Sequence, residues 1–374
     1  YLLSQSVLSI IVFHILGENV SGNFILAMSL SNTFGVVASY GMRNFQVSDI
    51  EGKYTEGTYV ASRYLTSAVG FISLSVFVLC QGYTLRVTIV LIVYMVFKLS
   101  ETFVDVYQAI NQKKMRMDII GKSLIARSIT TFFAFSLCLY FTKDIILSII
   151  AMAIAAFVII FFYDRQASRR LVEINYSKVK EQMLGLLVEC FPLVSYLFIS
   201  NSIMSIPRYY LEKYQGEAVL GFYGNIALPT LIIQVGAAYI FCPLISVFAQ
   251  LYKEKDKKGF VLLLGKVFLG IGVISVVSII GCIFLGDFGL VLLYKAKILP
   301  YSYLLIPVVI VTILNAIVWF LCALLTVIRD FKGLIISNLV ALVITFVLSI
   351  IWIKSYSASG VNYTLYVALV VEII

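Results

Sequence analysis

Charge is scarce in this sequence: only 13% of its 374 residues are Asp, Glu, Lys or Arg, about half the share of an ordinary soluble domain. Histidine is almost missing, with His14 alone. The six cysteines (Cys80, Cys138, Cys190, Cys242, Cys282 and Cys322) are scattered and form no CxxC pair. That pattern argues against a zinc centre or Cys–His catalysis, and no cofactor or metal is expected. Walker A, GxSxG, HExxH and nucleotide fingerprints are absent. The chain is therefore expected not to be an enzyme, and any transport would draw on an ion gradient, the membrane potential or the substrate's own gradient. Proline is missing from the first half; Pro192, Pro207, Pro229, Pro243, Pro300 and Pro307 all lie in the second.

What the sequence has instead is long apolar runs. Sixty-one per cent of residues are hydrophobic and mean hydropathy is +1.01. Val261 to Leu285 carries one charge, Lys266, and Leu334 to Ile353 carries none. Such runs belong in hydrocarbon, where a helix satisfies its own backbone polar groups. The strict alternation of a β-barrel is missing. Spans are expected at about 1–16, 20–41, 64–80, 87–107, 123–141, 145–163, 187–207, 218–241, 261–284, 303–326, 334–353 and 362–374. With the loop after the second span inside, inner loops hold nineteen basic residues and outer loops seven. This is a positive-inside pattern. The formal charge of +9 is thus mostly topology and contact with anionic lipid, and no nucleic-acid partner is expected. The chain begins without Met and stops inside an apolar run, so it is expected to be trimmed at both ends.

A short repeat divides the chain. Gly17-Glu18-Asn19-Val20-Ser21-Gly22 opens the second span and Gly216-Glu217-Ala218-Val219-Leu220-Gly221 the eighth, both reading G-E-x-V-x-G. Duplication of a six-helix unit preserves orientation, so the halves should be related about the membrane normal. The expected organisation is an N-terminal bundle at 1–163, a cytoplasmic linker at 164–186 and a C-terminal bundle at 187–374. Within the linker, the stretch from Ser177 to Leu187 fits either an amphipathic surface helix or a solvated connection. Ser48-Asp49-Ile50-Glu51 fits a capping box that starts a short inner helix. The prolines suggest that bending is concentrated in the second half.

Charged residues inside spans are the candidates for chemistry. Lys98, Glu101 and Asp105 share one helical face. They form either a cavity-lining stripe, with Lys98 on an anionic substrate and Glu101 or Asp105 taking a proton or sodium ion, or a structural Lys98–Glu101 pair with Asp105 near the interface. Arg127 either snorkels to the headgroups or faces a cavity. Arg208 offers a guanidinium fork for a diphosphate or anchors the outer interface beside Tyr209 and Tyr210. Arg43 guards an inner entrance or simply follows the positive-inside bias. His14 is expected to be a packed polar residue, and Trp319 and Trp352 interface-belt residues.

Three segments carry a family resemblance. Ser205-Ile-Pro-Arg-Tyr-Tyr-Leu-Glu-Lys-Tyr-Gln-Gly-Glu-Ala-Val-Leu-Gly-Phe-Tyr-Gly224 resembles the segment joining spans seven and eight of bacterial polysaccharide (O-antigen, capsular or teichuronic-type) repeat-unit flippases. Gly41-Met-Arg-Asn-Phe-Gln-Val-Ser-Asp49, with Tyr59 and Arg63, is similar to their loop after span two, and Gly360-Val-Asn-Tyr…Glu372 to their closing helix. These proteins belong to the multidrug, oligosaccharidyl-lipid and polysaccharide exporter superfamily. The resemblance implies an all-α membrane protein of about twelve transmembrane helices in two pseudo-twofold-related six-helix bundles, MATE-like, forming a V around a cationic cavity. It implies a multi-pass protein of the bacterial cytoplasmic membrane that flips undecaprenyl-diphosphate-linked oligosaccharide repeat units to the outer leaflet by alternating access, for cell-surface polysaccharide biosynthesis. It further implies membrane lipid, H+ or Na+, and a polysaccharide polymerase with chain-length machinery as partners. Arg43 matches the family's inner-entrance arginine and Arg208 the arginine of its span-seven motif. Pro207 stands where many relatives have Asp, so Glu101 or Asp105 would have to supply ion coupling.

The alternative within the same fold is a cation-coupled multidrug exporter, which calls for an acidic cavity; Lys98, Arg127 and Arg208 weigh against it. A polymerase or acyltransferase would need a large outer loop or a catalytic histidine. A passive scaffold would need neither a duplication nor a charged fourth span.

Overall fold

The computed structural model of the protein describes residues 2–49, 52–328 and 330–374. Arg329, counted among the inner basic residues, and Ile50 and Glu51 of the expected capping box lie outside them. The described residues form helices and no strand. In the first part these are α1 (Leu2–Leu16), α2 (Glu18–Ser39), α3 (Met42–Ser48), α4 (Glu56–Gln81), α5 (Leu85–Lys113), α6 (Met117–Thr142), α7 (Ile145–Ile159) and α8 (Arg165–Leu171), the last two joined by a π turn at Ile160–Asp164. Then come α9 (Val179–Gln215), α10 (Glu217–Ala227), α11 (Leu231–Phe241), α12 (Ile245–Lys253), α13 (Lys257–Tyr294), α14 (Leu305–Val327) and α15 (Phe331–Ile373). Ten helical stretches among the described residues are long and apolar enough to cross a membrane, besides the shorter Val7–Leu16. The chain is a multi-pass helical membrane protein.

Local chemistry sets the helix ends. Thr55 caps α4 by accepting the Thr58 N–H at 3.2 Å. Asp144 caps α7 from the N–H groups of Ile146 and Leu147. Asp256 and Asp330 cap α13 and α15 from Gly259 and Gly333. Each side-chain oxygen satisfies amides the helix itself cannot. The third span thus starts at Glu56, earlier than residue 64, because Thr55 supplies the cap. α3 ends at Ser48, and Asp49 organises the loop after it. Its Oδ1 accepts the Lys53 N–H at 2.8 Å. Its Oδ2 accepts the Tyr54 N–H and the Tyr59 hydroxyl, both at 3.1 Å.

The eleventh and twelfth spans form one helical run broken at Ser357, whose φ is 53°. A Cβ on Gly360 would lie 2.3 Å from the Trp352 carbonyl oxygen, so the chain doubles back there and only glycine fits. Three prolines sit at breaks or in tight turns: Pro229 between α10 and α11, Pro243 in the 3₁₀ turn Cys242–Leu244 and Pro300 in the 3₁₀ segment Ala296–Leu304. Pro307 occupies the first turn of α14, while Pro192 and Pro207 lie inside the continuous α9. The first half bends without proline, through the π turn after α7.

The chain divides into two compact units, one running to Asn201 and the other from Ser202 to Ile374. In the first, Phe24 of α2 meets Tyr94 and Phe135 with ring centroids 5.4 and 5.6 Å apart. In the second, Phe320 of α14 collects Phe241, Phe248 and Phe268 within 5.8 Å. The stretch from Ser177 forms no separate surface helix; from Val179 it is the beginning of α9. Polar contacts fasten that beginning to the first unit. Glu189 meets Lys53 at 2.5 Å, and Gln182 Oε1 accepts the Thr55 N–H at 3.1 Å and the Thr58 hydroxyl at 2.9 Å. Gly57 lets the connection pass, since a Cβ there would lie 1.9 Å from the Asn175 carbonyl oxygen.

Candidate functional site

The charges on α5 continue as a longer stripe. Lys98, Glu101 and Asp105 are followed at the same alternating spacing of three and four by Gln108 and Gln112, so all five share one face. Lys98 pairs with Glu101, both side chains being less than a quarter exposed. The lysine stem lies over Gly35 of α2, where a Cβ would meet its Cγ and Cε at 3.1 Å. Asp105 instead takes Arg43, at 2.9 Å. The Arg43 guanidinium also donates to Gln108 Oε1 at 3.3 Å and Gln112 Oε1 at 3.2 Å. The two glutamines were missed in the sequence, although their spacing carried the signal.

A tight turn aims Arg43 at this stripe. Tyr40 (φ 53°) and Gly41 (φ 62°) are both left-handed. A Cβ on Gly41 would also lie 2.9 Å from two Leu193 side-chain carbons. Turning there directs α3 against α5 and sets Arg43 opposite three acceptors.

Arg63, read as an inner-loop residue, is fully buried in α4. It donates to the Ala38 carbonyl at 3.2 Å and to the Ser39 carbonyl, two of the orphan acceptors that end α2. Thr66 Oγ1 adds a bond to Ala38 O at 2.8 Å. A cation there also complements the negative end of the helix dipole.

Arg127 is 1% exposed and its Nη2 donates to Ser100 Oγ at 3.1 Å. His14, expected to be packed, is exposed, with the Phe13 ring edge-on to it at 6.3 Å.

Arg208 lies in the second unit, on α9, and is half-buried. Among the described residues it makes no hydrogen bond and no ion pair. Its electrostatic neighbour is Tyr223 of α10, whose hydroxyl bonds Asn362 Oδ1 at 3.0 Å. The preceding Pro207 brings neither a carboxylate nor an N–H. The first unit therefore assembles Arg43 with Asp105 and Lys98 with Glu101, whereas Arg208 is a cation without a counter-charge. No set of three metal-ligating side chains occurs among the described residues.

No protein-family model and no curated protein matches the chain. Solved structures do. The lipid II flippase MurJ in an inward closed conformation superposes with a TM-score of 0.80 at 16% identity, over 100% of this chain and 84% of that one. An inward-facing multidrug resistance MATE family transporter of the MOP superfamily gives 0.64 at 13%, over 99% and 89%. A MOP superfamily transporter from Pyrococcus furiosus gives 0.57 at 14%, over 100% and 93%. The chain has the MurJ/MATE-like fold of these structures, which are described as transporters and a flippase.

Proposed function

We propose that the chain is a flippase for an anionic, lipid-linked substrate: undecaprenyl-diphosphate-linked oligosaccharide repeat units, moved by alternating access from the inner to the outer leaflet of a bacterial cytoplasmic membrane for cell-surface polysaccharide biosynthesis. The observation that carries this reading is the sign of the charge left uncompensated. Arg208 keeps its positive charge at any physiological pH, is partly withdrawn from water and has no carboxylate partner. A half-buried cation without a partner is costly unless a bound group supplies the anion, and a guanidinium matches a diphosphate through paired hydrogen bonds. An exporter of cationic drugs would call for the opposite sign. Arg43, held open-forked by Asp105, Gln108 and Gln112, is assigned to the first contact with the headgroup. Arg127 is withdrawn from this role by its burial, and Lys98 acts on substrate only if Glu101 lets go of it. A polysaccharide polymerase with chain-length machinery is the partner that would consume the flipped unit, and H+ or Na+ the coupling ion.

The test is flipping of undecaprenyl-diphosphate-linked oligosaccharide in proteoliposomes by the full-length protein, beside Arg208→Ala and Lys98→Ala. Loss of charge-assisted hydrogen bonds of about 1.5–3 kcal/mol corresponds to a fall of roughly 10- to 100-fold for Arg208→Ala, with a smaller effect for Lys98→Ala. Flipping that ignores Arg208→Ala removes that residue from the site. Cation-dependent extrusion of dyes, with no lipid flipping, assigns the chain to multidrug export instead.

A further inference from the structure

The two acids expected to couple transport to an ion are already occupied: Glu101 by Lys98 and Asp105 by Arg43. A different acid has no such partner. Asp164 ends the π turn Ile160–Asp164 and has no exposure at all. Neither of its carboxylate oxygens has a partner at ordinary hydrogen-bond geometry, and the Ser123 hydroxyl lies beside it as a donor. The Arg127 guanidinium, bonded to Ser100, is within electrostatic reach of it. In the sequence Asp164 looked like the first residue of a solvated linker, which hid it.

The groups around Asp164 come from every element packed on the turn. From α6 it meets Ser123 and, within electrostatic reach, Arg127. α5 contributes the neutral Ser100, already bonded to Arg127. α7 has no ionisable residue. On α8, Arg165 and Arg169 act on Tyr107 of α5. Tyr163, next in the chain, connects outward to Arg116 and Asp118 at the start of α6.

A fully buried carboxylate with one hydroxyl beside it and no ion pair is held more cheaply as the neutral acid than as the anion. A sodium or calcium ion in its place would need several oxygen ligands and would be repelled by Arg127. The occupant that fits is a proton. The backbone supplies a second arrangement. The Arg165 N–H bonds the Ile160 carbonyl, one residue further back than in an α-helix. Rewinding that turn to α would swing the residues after it by about 100°.

We propose that Asp164 is a proton-binding site of the first unit, and that losing the proton draws its carboxylate to Arg127 while the π turn rewinds. The neutral acid keeps Asp164 and Arg127 apart; the anion pairs with the guanidinium and turns α8 relative to α7. Its use as the coupling site rests on the transport reading above; its existence does not.

Infrared difference spectroscopy of the purified full-length protein in lipid, across a pH step and without substrate, decides this directly. A carboxylic-acid carbonyl band that responds to the step is expected in the wild type, lost in Asp164→Asn and kept in Glu101→Gln. A band untouched by Asp164→Asn, or no such band, overturns the proposal. Asp164→Asn mimics the neutral acid and should melt at or above the wild-type temperature. In proteoliposomes the ratio of lipid movement with and without an imposed pH gradient should fall about tenfold, towards unity, in Asp164→Asn, while Asp164→Glu keeps the response with a displaced pH profile. An unchanged ratio removes the coupling role. If the infrared band behaves as expected and no lipid-linked sugar moves in any sample, the flippase reading fails and the proton site stands.

Discussion

Gly17 and Gly216 hold the same backbone conformation, at φ 85°, ψ −178° and φ 86°, ψ 171°. Each donates its own N–H to the carbonyl four residues back, of Phe13 and Glu212, and its carbonyl accepts the N–H of Ser21 and Leu220. The G-E-x-V-x-G string is therefore a repeated hinge between helices as well as a repeated string. That region of φ and ψ is open to glycine almost alone.

Gly17→Ala and Gly216→Ala should each destabilise the protein by about 1–3 kcal/mol. No atom lies within 4 Å of a Cβ at either position, so the cost is backbone strain and should be alike at the two sites. Thermal unfolding in detergent measures it; an alanine tolerated at either position would mean that hinge adopts another conformation.

The Lys98–Glu101 pair should behave as a coupled unit. Lys98→Met alone or Glu101→Gln alone strands a charge that is mostly buried, so the double variant should be more stable than the two single losses sum to. A coupling energy of about 1 kcal/mol or more is expected from the double-mutant cycle. A value near zero would show that the two side chains act separately, and would return both to the list of substrate and ion contacts.

Arg63→Met should cost more stability than Arg43→Met. Arg63 is fully buried and bonds two carbonyl groups at the end of α2, so its loss should remove about 3 kcal/mol. Arg43 keeps a third of its side chain exposed and its loss should fall mainly on transport. Melting temperatures and flipping rates of the same two preparations separate the cases, and the reverse ranking would dismiss both assignments.

The loop after α3 should loosen in acid. Burial pushes the Asp49 carboxyl up, but the N–H groups of Tyr54 and Lys53 and the Tyr59 hydroxyl outweigh it and hold it below the usual carboxylate range. A lowered folded-state value contributes stability that is present above the ordinary pKa near 4 and lost as pH falls through the folded one. Hydrogen exchange at the Lys53 and Tyr54 amides should accelerate over that interval in the wild type. Asp49→Asn should exchange fast at every pH, and a slow, pH-independent variant would count against this account.

Apolar runs made the spans legible, because length and composition alone decide whether a helix can lie in hydrocarbon. The break at Ser357 was implied by the expected gap between 353 and 362, though nothing marked the residue itself. The site was less legible. Spacing put Lys98, Glu101 and Asp105 on one face, but spacing cannot choose partners, and it is the turn at Tyr40–Gly41 that sends Arg43 to Asp105 and leaves Glu101 to Lys98. Arg63 and Asp164 were misplaced for one reason. A charge at the margin of an apolar run looks solvated in sequence, whereas Thr55 starts α4 early and the π turn carries α7 onward, so both side chains end inside protein. The exposure of His14 had no sequence signal at all.

The passage from one compact unit to the other occurs inside α9, a helix of 37 residues and so about 55 Å long, with no loop at Asn201–Ser202. Co-expressed fragments divided in the exposed connection before Val179 would give the first fragment a vacant flank where residues 179–201 belong, and oblige the second to carry those residues as an unsupported stem. The division expected from the G-E-x-V-x-G repeat falls before residue 187, whereas packing divides the chain within one uninterrupted helix.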